Sequence, residues 1–384
     1  MTLPAPARAE YDEFRVDFAA WLDEHGADLE PLRTLPEDIH EQHRTQSRVQ
    51  RLLFDHGWLR RGWPEEVGGL GGSKVVRGAL AEALTERGYE YPFAMGMIEV
   101  LGSAMVKFAE PELGAEMFPR FLAGEEYWAQ GFSEPEAGSD LGSLRTRAVD
   151  QGDHWRLTGQ KIWTTWGQFA QRGVVLARTG EQAQGFAGIT ALFIDMDSPG
   201  VDVRTLRAMN GTDEFCEMFF DDVIVPKSRT MGAVGGGAKF TMAVLESERG
   251  VFAWQRQTWL LRRLSDLLAE PGIDERAAGR IGEVYATLYG LRLRARDTFR
   301  RVVAGELIGP QSSVDKMLLS TAEKGVFDVA FELLADDTLL GDGSVNRAWR
   351  SDYLYARASS IYGGTAEIQR NILAERILGL PRER

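Results

Sequence analysis

Apolar residues recur three and four positions apart over the first 125 residues, which is the spacing of one face of an α-helix. The clearest set is Phe14, Phe18, Trp21 and Leu22. The same period continues at 48–56, 75–87, 95–108 and 112–122. The stretch 62–72 interrupts it with Pro64 and several glycines, which do not fit inside a stable helix. We therefore predict an N-terminal helical region that contains one long loop.

The period changes between about residues 126 and 232. Short β-type runs bounded by Gly, Pro or Asp, a pattern typical of strands, occur at 154–157, 174–177, 190–194 and 217–220. Helical spacing returns from Gly237. It predicts helices at about 240–269, 275–304 and 313–335, and a last one that begins near Thr365.

This order of elements predicts a mainly α protein with a central β domain. We expect an N-terminal α-helical domain over 1–125, a small β-barrel or β-sandwich over 126–232, and a C-terminal four-helix domain, a helical bundle, over 233–384.

Composition narrows the class of protein. The chain has 384 residues, of which 44% are hydrophobic, so a large core is available. A net charge of −13 argues against nucleic acid and anionic membranes as main partners. The single cysteine, Cys216, excludes an intramolecular disulfide framework and fits a reducing compartment. The sequence shows no apolar leader and no membrane-length apolar run, so we expect a cytoplasmic protein with no membrane partner.

The stretch 127–140 opens the predicted β domain. It combines Gly131, Gly138 and two serines around Pro135. Such a loop can offer backbone N–H groups and hydroxyls to a polar ligand, although an ordinary β-rich turn is the commoner case.

The stretch 159–167 places Trp163 beside Thr164 and Thr165 and ends in Gly167. An aromatic face next to a hydroxyl suits a planar cofactor, through stacking and one hydrogen bond. The commoner case is a core tryptophan in a strand.

Glu248 occupies an unusual position in the predicted helix 240–269. Its neighbours three and four positions away are all apolar: Val244, Leu245, Val251 and Phe252. A carboxylate on an apolar stripe is unfavourable unless it is paired or its pKa is raised, and a raised carboxylate can act as a general base. From spacing alone, pairing with an arginine of another helix is the more probable state. Arg249 has Glu246 three positions earlier, which predicts a local ion pair.

The stretch 360–370 contains Gly363 and Gly364, followed by Thr365 and a run of helix formers. Backbone N–H groups and a hydroxyl at a helix N-terminus bind anions or polarised oxygens well. By itself the stretch is equally compatible with an ordinary glycine turn capped by threonine.

Together these stretches resemble the acyl-CoA dehydrogenase family, in its bacterial and especially actinobacterial form. The matching segments follow the family's order through nearly the whole chain: Gly62-Trp63-Pro64, Ser133-Glu134-Pro135, Gly138-Ser139-Asp140, 161–165, Val225-Pro226, 245–249, 361–370 and 374–382. Each segment is weak evidence alone, but their joint occurrence is highly specific.

The resemblance implies FAD, an acyl-CoA substrate, and α,β-dehydrogenation to the trans-2-enoyl-CoA with hydride transfer to flavin N5. A thioester α-proton is a weak acid, so the carbonyl must be polarised by N–H donors and the base must be desolvated. The positions that match FAD contacts are Gln130, Gly131, Phe132, Ser133, Ser139, Trp163, Thr164, Thr165, Thr365 and Glu367. The positions that match substrate contacts are Ser139, Arg249, Gly363 and Gly364.

The chain departs from the family pattern at Gly363, where many members carry the catalytic glutamate. A glycine has no acid–base group. A minority of the family takes the base from the helix position just before the arginine, which is Glu248 here. The resemblance therefore makes Glu248 the expected catalytic residue. Gly363 also leaves space for a branched or steroidal acyl group without requiring one.

A second departure concerns the subunit interface. Many members hold the FAD pyrophosphate across a dimer with an Arg-x-x-Phe-Gly segment, which is absent between Trp254 and Pro310. Arginines without that pattern are available at Arg256, Arg262, Arg280 and Arg300. We expect either a homo-oligomer with altered FAD contacts or an α2β2 heteromer with a second acyl-CoA dehydrogenase-like chain, as in bacterial enzymes of steroid catabolism.

The resemblance also implies electron-transfer flavoprotein as the electron acceptor. Two other functions stay open. One is a flavin-dependent oxygenase or oxidase on the same fold, and the other is a non-catalytic subunit of a heteromeric acyl-CoA dehydrogenase.

Overall fold

The computed structural model describes residues 3–247, 253–270, 273–306, 308–334, 340–341 and 343–381. The first block is helical. Its helices are α1 (Ala5–Glu24), α2 (Gly26–Leu29), α3 (Ile39–Asp55), α4 (Val75–Glu86), α5 (Phe93–Met97), α6 (Ser103–Phe108) and α7 (Pro111–Leu122). A π-helical turn, Ile98–Gly102, joins α5 to α6. Phe14 and Phe18 are fully buried, as the period of their segment predicts.

The central block is one sheet. Its strands are β1 (Trp128–Gly131), β2 (Arg147–Asp150), β3 (His154–Thr165), β4 (Arg172–Arg178), β5 (Ile189–Asp195), β6 (Val201–Leu206), β7 (Phe215–Pro226) and β8 (Thr230–Met231). The strand order is β6-β7-β3-β2-β4-β5-β8, and β1 pairs with β4 in parallel. The two long strands, β3 and β7, are antiparallel neighbours.

Strand β4 explains how the sheet joins the helices. Val174 and Leu176 belong to the core shared with the N-terminal helices, whereas Val175 and Ala177 belong to a separate core on the other face. Successive strand residues point to opposite faces. A strand buried on both faces is therefore apolar throughout, which is why 174–177 is a continuous apolar run.

The last block is helical again. Its helices are α8 (Gly237–Ser247), α9 (Ala253–Leu268), α10 (Glu275–Val303), α11 (Ser312–Leu333), α12 (Ser344–Ala356) and α13 (Ala366–Arg376). Leu260, Leu288 and Val326 of α9, α10 and α11 share one core. Helix α12 lies where the sequence analysis predicted no element.

The order of helices, central sheet and helices confirms the predicted fold class. In the part of the chain that the structure describes, no helix combines the length and the apolar character needed to cross a membrane.

Candidate active site

Trp163 lies at an irregularity in strand β3. The pairing of β3 with β7 shifts register between Lys161 and Thr164, and Trp163 has a φ of 62°. A bulged strand re-aims the side chain at the bulge, and a bulky residue with positive φ is strained. The result is an indole that is 61% exposed, with its edge against Phe215. The alternative interpretation, a core tryptophan, is therefore wrong.

A buried ion pair holds the loop 131–146 against this strand. The Lys161 side chain is fully buried, and its Nζ donates to Glu134 Oε1 at 2.7 Å and to the Phe132 carbonyl at 3.2 Å. The Glu134 carboxylate also accepts the backbone N–H groups of Arg145 and Thr146 at 2.7 and 2.9 Å. The pair therefore holds the loop against β3, and the Ser133 carbonyl accepts the N–H of Ile162, the residue before Trp163, at 3.0 Å.

The protonation of this pair follows from its surroundings. Burial lowers the pKa of Lys161 to about 8, although the neighbouring Glu134 opposes that change. Burial acts to raise the pKa of Glu134, but Lys161 and the hydrogen-bond donors outweigh it, so that pKa lies below its ordinary value. This pair was not predicted from the sequence, because its two residues are 27 positions apart.

The two threonines that follow Trp163 differ in environment. Thr164 is fully buried, and its Oγ1 has no hydrogen-bond partner among the described residues. Thr165 is half-buried, and its carbonyl accepts the Tyr127 hydroxyl at 3.2 Å. Buried hydroxyls are normally paired, so the Thr164 hydroxyl is an exception among the described residues. Ser139 lies in the exposed part of the adjoining loop.

The glycine turn before α13 is held by hydrogen bonds to its carbonyls. Gly363 and Gly364 have φ values of 63° and 93°, which glycine adopts readily. The buried Gln369 donates its Nε2 to both glycine carbonyls at 3.1 Å. Thr365 Oγ1 accepts the Ile368 N–H at 3.3 Å and caps the helix, as predicted. Glu367, in the first turn, is exposed and lies 3.4 Å from Arg370.

Glu248 and Arg249 lie outside the described residues, so the structure does not test their predicted roles. Helix α8 ends at Ser247 and α9 begins at Ala253. The neighbouring Glu246 is described, and its carboxylate accepts the Ile308 N–H at 3.0 Å.

A half-buried acid, Glu214, adjoins the end of β3. Burial raises the pKa of Glu214 to about 7, while Arg256 and the Tyr355 hydroxyl act to lower it. The Glu214 carbonyl accepts the Trp166 N–H at 2.8 Å, three residues after Trp163. Arg256 in turn pairs with Glu323, a fully buried residue. Glu214 was not predicted as a site residue, because its partners, Arg256 and Tyr355, come from distant helices.

The four arginines available for a pyrophosphate clamp each form an ion pair within the chain. Arg256 pairs with Glu323, and the other three pairs, at 3.2, 2.9 and 3.0 Å, are Arg262 with Glu90, Arg280 with Glu332 and Arg300 with Asp297.

Comparison with known proteins identifies the family. Models of the acyl-CoA dehydrogenase N-terminal, middle and C-terminal domains match residues 9–125, 129–223 and 235–378. Acyl-CoA dehydrogenase IpdE1 of Mycobacterium tuberculosis is 35% identical over 383 residues, covering 97% of this chain and 99% of that protein. Acyl-CoA dehydrogenase FadE34 of the same organism is 34% identical, covering 88% of this chain and 47% of that protein.

A solved structure named the Tcur3481-Tcur3483 steroid ACAD has a TM-score of 0.84 and 25% identity, with 100% of both chains covered. The chain therefore belongs to the acyl-CoA dehydrogenase family and is an oxidoreductase of that class. This confirms the resemblance on which the sequence analysis relied. The family is generally FAD-dependent.

Proposed function

We propose that this chain binds FAD and dehydrogenates an acyl-CoA thioester to its trans-2-enoyl-CoA, with Glu248 as the base. The observation that carries the proposal is the exposed indole of Trp163, a residue with positive φ, in the strand to which Lys161 ties the loop 131–146. A bulky residue held at positive φ with its aromatic face exposed fits a site where a flat ligand covers that face.

The residues at this place fit a flavin. Trp163 offers a flat, exposed aromatic face, and Thr164 is assigned to FAD with it. Gln130, Gly131, Phe132, Ser133, Ser139, Thr165, Thr365 and Glu367 complete the set that we assign to FAD. When bound, FAD accepts the two electrons and the hydrogen that leave the β-carbon.

The chain's own residues supply the polar part of the reaction. The backbone N–H groups of the turn Gly363-Gly364 are assigned to the thioester carbonyl, where they would stabilise developing negative charge. Ser139 and Arg249 are assigned to the CoA moiety. Glu248 is assigned the removal of the α-proton.

Replacing Glu248 with Gln tests the assignment of the base. We expect Glu248→Gln to retain FAD but to lose anaerobic flavin bleaching by acyl-CoA, because the amide cannot accept the α-proton. Bleaching is followed by flavin absorbance against short, long, branched and steroidal acyl-CoAs.

Glu246→Gln is the matched control, since it changes a nearby glutamate whose carboxylate accepts a backbone N–H of Ile308. It should bleach as the wild type does. Near-normal bleaching by Glu248→Gln would remove Glu248 from the mechanism.

A further inference from the structure

The most deeply buried side chain of helix α13 is polar. The structure describes this helix throughout, and Gln369 is its one buried residue, with 0% exposure. The apolar side chains of the same helix, Ile368, Ile372 and Leu373, are only half-buried. The innermost position of a helix is normally apolar, and a buried amide is normally hydrogen-bonded. The burial of a glutamine in preference to its apolar neighbours therefore has to be explained by its hydrogen bonds.

The hydrogen bonds of Gln369 go to the glycine turn. Its Nε2 lies 3.1 Å from the carbonyl oxygens of both Gly363 and Gly364. Turning the amide over would place its own oxygen against these two acceptors, so the amide must present its NH2 group to the turn. One side chain thus donates to two consecutive peptide units.

The first of these peptide units contains a donor assigned to the substrate. The carbonyl of Gly363 and the N–H of Gly364 belong to one planar trans unit, in which the two groups point in opposite directions. A hydrogen bond to the carbonyl orients this plane, and linked hydrogen bonds strengthen one another by roughly 10–30% each. Gln369 therefore acts on the Gly364 N–H from the other end of its peptide unit.

The turn needs a support of this kind. Two consecutive glycines leave the backbone more freedom than any other pair of residues. The segment before them is held by Lys316 of α11, which donates to the Ser359 carbonyl and lies 4.0 Å from the centre of the Tyr362 ring. Donors that stabilise a developing negative charge must be oriented before the reaction. Gln369 is the side chain that makes this contact with the two glycine peptides.

We propose that Gln369 is a positioning residue, which orients and polarises the Gly364 N–H toward the thioester carbonyl. The proposal rests on the proposed acyl-CoA dehydrogenase function, in which the N–H groups of this turn stabilise the charge that develops on the thioester oxygen. Gln369 acts through the backbone of the turn, so its role requires no contact with the substrate.

The variant Gln369→Met removes the donor group and changes the side-chain volume little. The test follows anaerobic flavin bleaching by butyryl-CoA, octanoyl-CoA, isobutyryl-CoA and a steroidal CoA ester. For the ester that bleaches the wild type fastest, we expect the rate at saturation to fall at least about tenfold. The half-saturating concentration should change by less than about threefold, because the oriented donor binds the transition state more strongly than the ground state.

The variant Gln50→Met is the matched control. Gln50 of α3 is also buried, and its Nε2 donates to two consecutive carbonyls, those of Phe121 and Leu122, at 2.6 and 3.2 Å. The substitution removes the same kind of contact from the N-terminal block. We expect Gln50→Met to unfold at a lower temperature than the wild type but to bleach at the wild-type rate.

The variant Gln369→Ala separates orientation from the mere pairing of the carbonyls. It leaves space for a water molecule, which can donate to the glycine carbonyls without fixing their peptide planes. We expect this variant to fold even if Gln369→Met does not, and to show the same fall in the rate at saturation.

A measurement without substrate separates this inference from the proposed function. When glycine carbonyls carry carbon-13 and glycine nitrogens carry nitrogen-15, solid-state NMR can select the directly bonded Gly–Gly pairs. The sequence contains five such pairs, at 68–69, 71–72, 235–236, 236–237 and 363–364. The signal that disappears in Gly363→Ala belongs to the last pair. In Gln369→Met and Gln369→Ala we expect this signal to move upfield and the other signals to stay in place.

Three results would overturn the positioning role. They are an unchanged signal of the pair 363–364, an unchanged rate at saturation in the Gln369 variants, and an equal loss of rate in Gln50→Met. If no ester bleaches the wild-type flavin, the proposed dehydrogenase function fails. The NMR signal then still decides whether Gln369 acts on the peptide unit that contains the Gly364 N–H.

Discussion

The ammonium group of Lys161 links the loop 131–146 to strand β3, and removing it tests that link. We expect Lys161→Met to destabilise the protein by about 3–5 kcal/mol, because the Glu134 carboxylate stays buried without its cation. The midpoint of thermal unfolding measures the effect. The double variant Lys161→Met with Glu134→Gln should recover part of the loss, and a single variant as stable as the wild type would contradict the role of the pair.

Glu214 makes stability depend on pH. Its pKa in the folded protein is raised to about 7, so its favourable state, the neutral acid, is lost as pH rises from about 5 to 8. We expect Glu214→Gln to remove this dependence. Between pH 5 and pH 8 the free energy of unfolding of the variant should therefore rise by on the order of 2 kcal/mol relative to that of the wild type. Denaturant unfolding at pH 5 and pH 8 measures it.

The variant Tyr355→Phe is a control in which the pH dependence caused by Glu214 should become stronger. The Tyr355 hydroxyl acts to lower the pKa of Glu214, so its removal should steepen the loss of stability with rising pH. A flat profile in Tyr355→Phe, or an unchanged slope in Glu214→Gln, would assign the pH dependence to other groups.

At the scale of elements, the irregularity in β3 lowers the stability of the protein and exposes the aromatic face of Trp163. Glycine adopts positive φ without the penalty of about 1–2 kcal/mol that other residues meet. We expect Trp163→Gly and Trp163→Ala both to lose FAD, since both remove the indole. The glycine variant should be the more stable of the two by about 1 kcal/mol.

Thermal unfolding of the two flavin-free Trp163 variants, together with titration of each with FAD, measures both effects. Equal stability of the two variants would mean that the backbone at Trp163 relaxes when the indole is removed. Unimpaired FAD binding in either variant would place the flavin elsewhere.

Elements with a strong period were predictable, and those set by tertiary contacts were not. The predicted helix 275–304 corresponds to α10, Glu275–Val303, because Asp274 caps it and an apolar stripe runs along it. Helix α12 was not predicted, because its N-cap residue is Gly343, which has no side chain to form a capping hydrogen bond. The predicted segment 95–108 contains a π-helical turn, which its apolar pattern did not indicate.

The features of the candidate site also fall into those predictable from local sequence and those set by tertiary contacts. Short motifs identified the residues around Trp163 and the cap at Thr365. The positive φ of Trp163 and the pair between Lys161 and Glu134, 27 residues apart, depend on strand register and burial. Local spacing carries no information about either, so both required the structure.

At the scale of the whole molecule, the four arginines of α9 and α10 bear on assembly. Each forms an ion pair inside the chain. This favours contacts to the FAD pyrophosphate that come from a partner chain or from other groups of this chain. We expect the chain purified alone to hold less than one FAD per subunit and to gain flavin when a second acyl-CoA dehydrogenase-like chain is added.

Flavin absorbance per subunit, measured together with the mass of the assembly, tests this expectation. A homo-oligomer with one FAD per subunit would exclude obligate pairing with a second chain. In that case the altered contacts within a homo-oligomer become the explanation for the missing Arg-x-x-Phe-Gly segment.

The exposed indole of Trp163 has a consequence for the lifetime of the protein in a cell. A ligand that binds only the folded chain adds to its stability in proportion to the logarithm of ligand concentration. With its aromatic face uncovered, the chain unfolds more often and meets proteases more often. On the proposed function, riboflavin supply would therefore set the abundance and half-life of the protein as well as its activity.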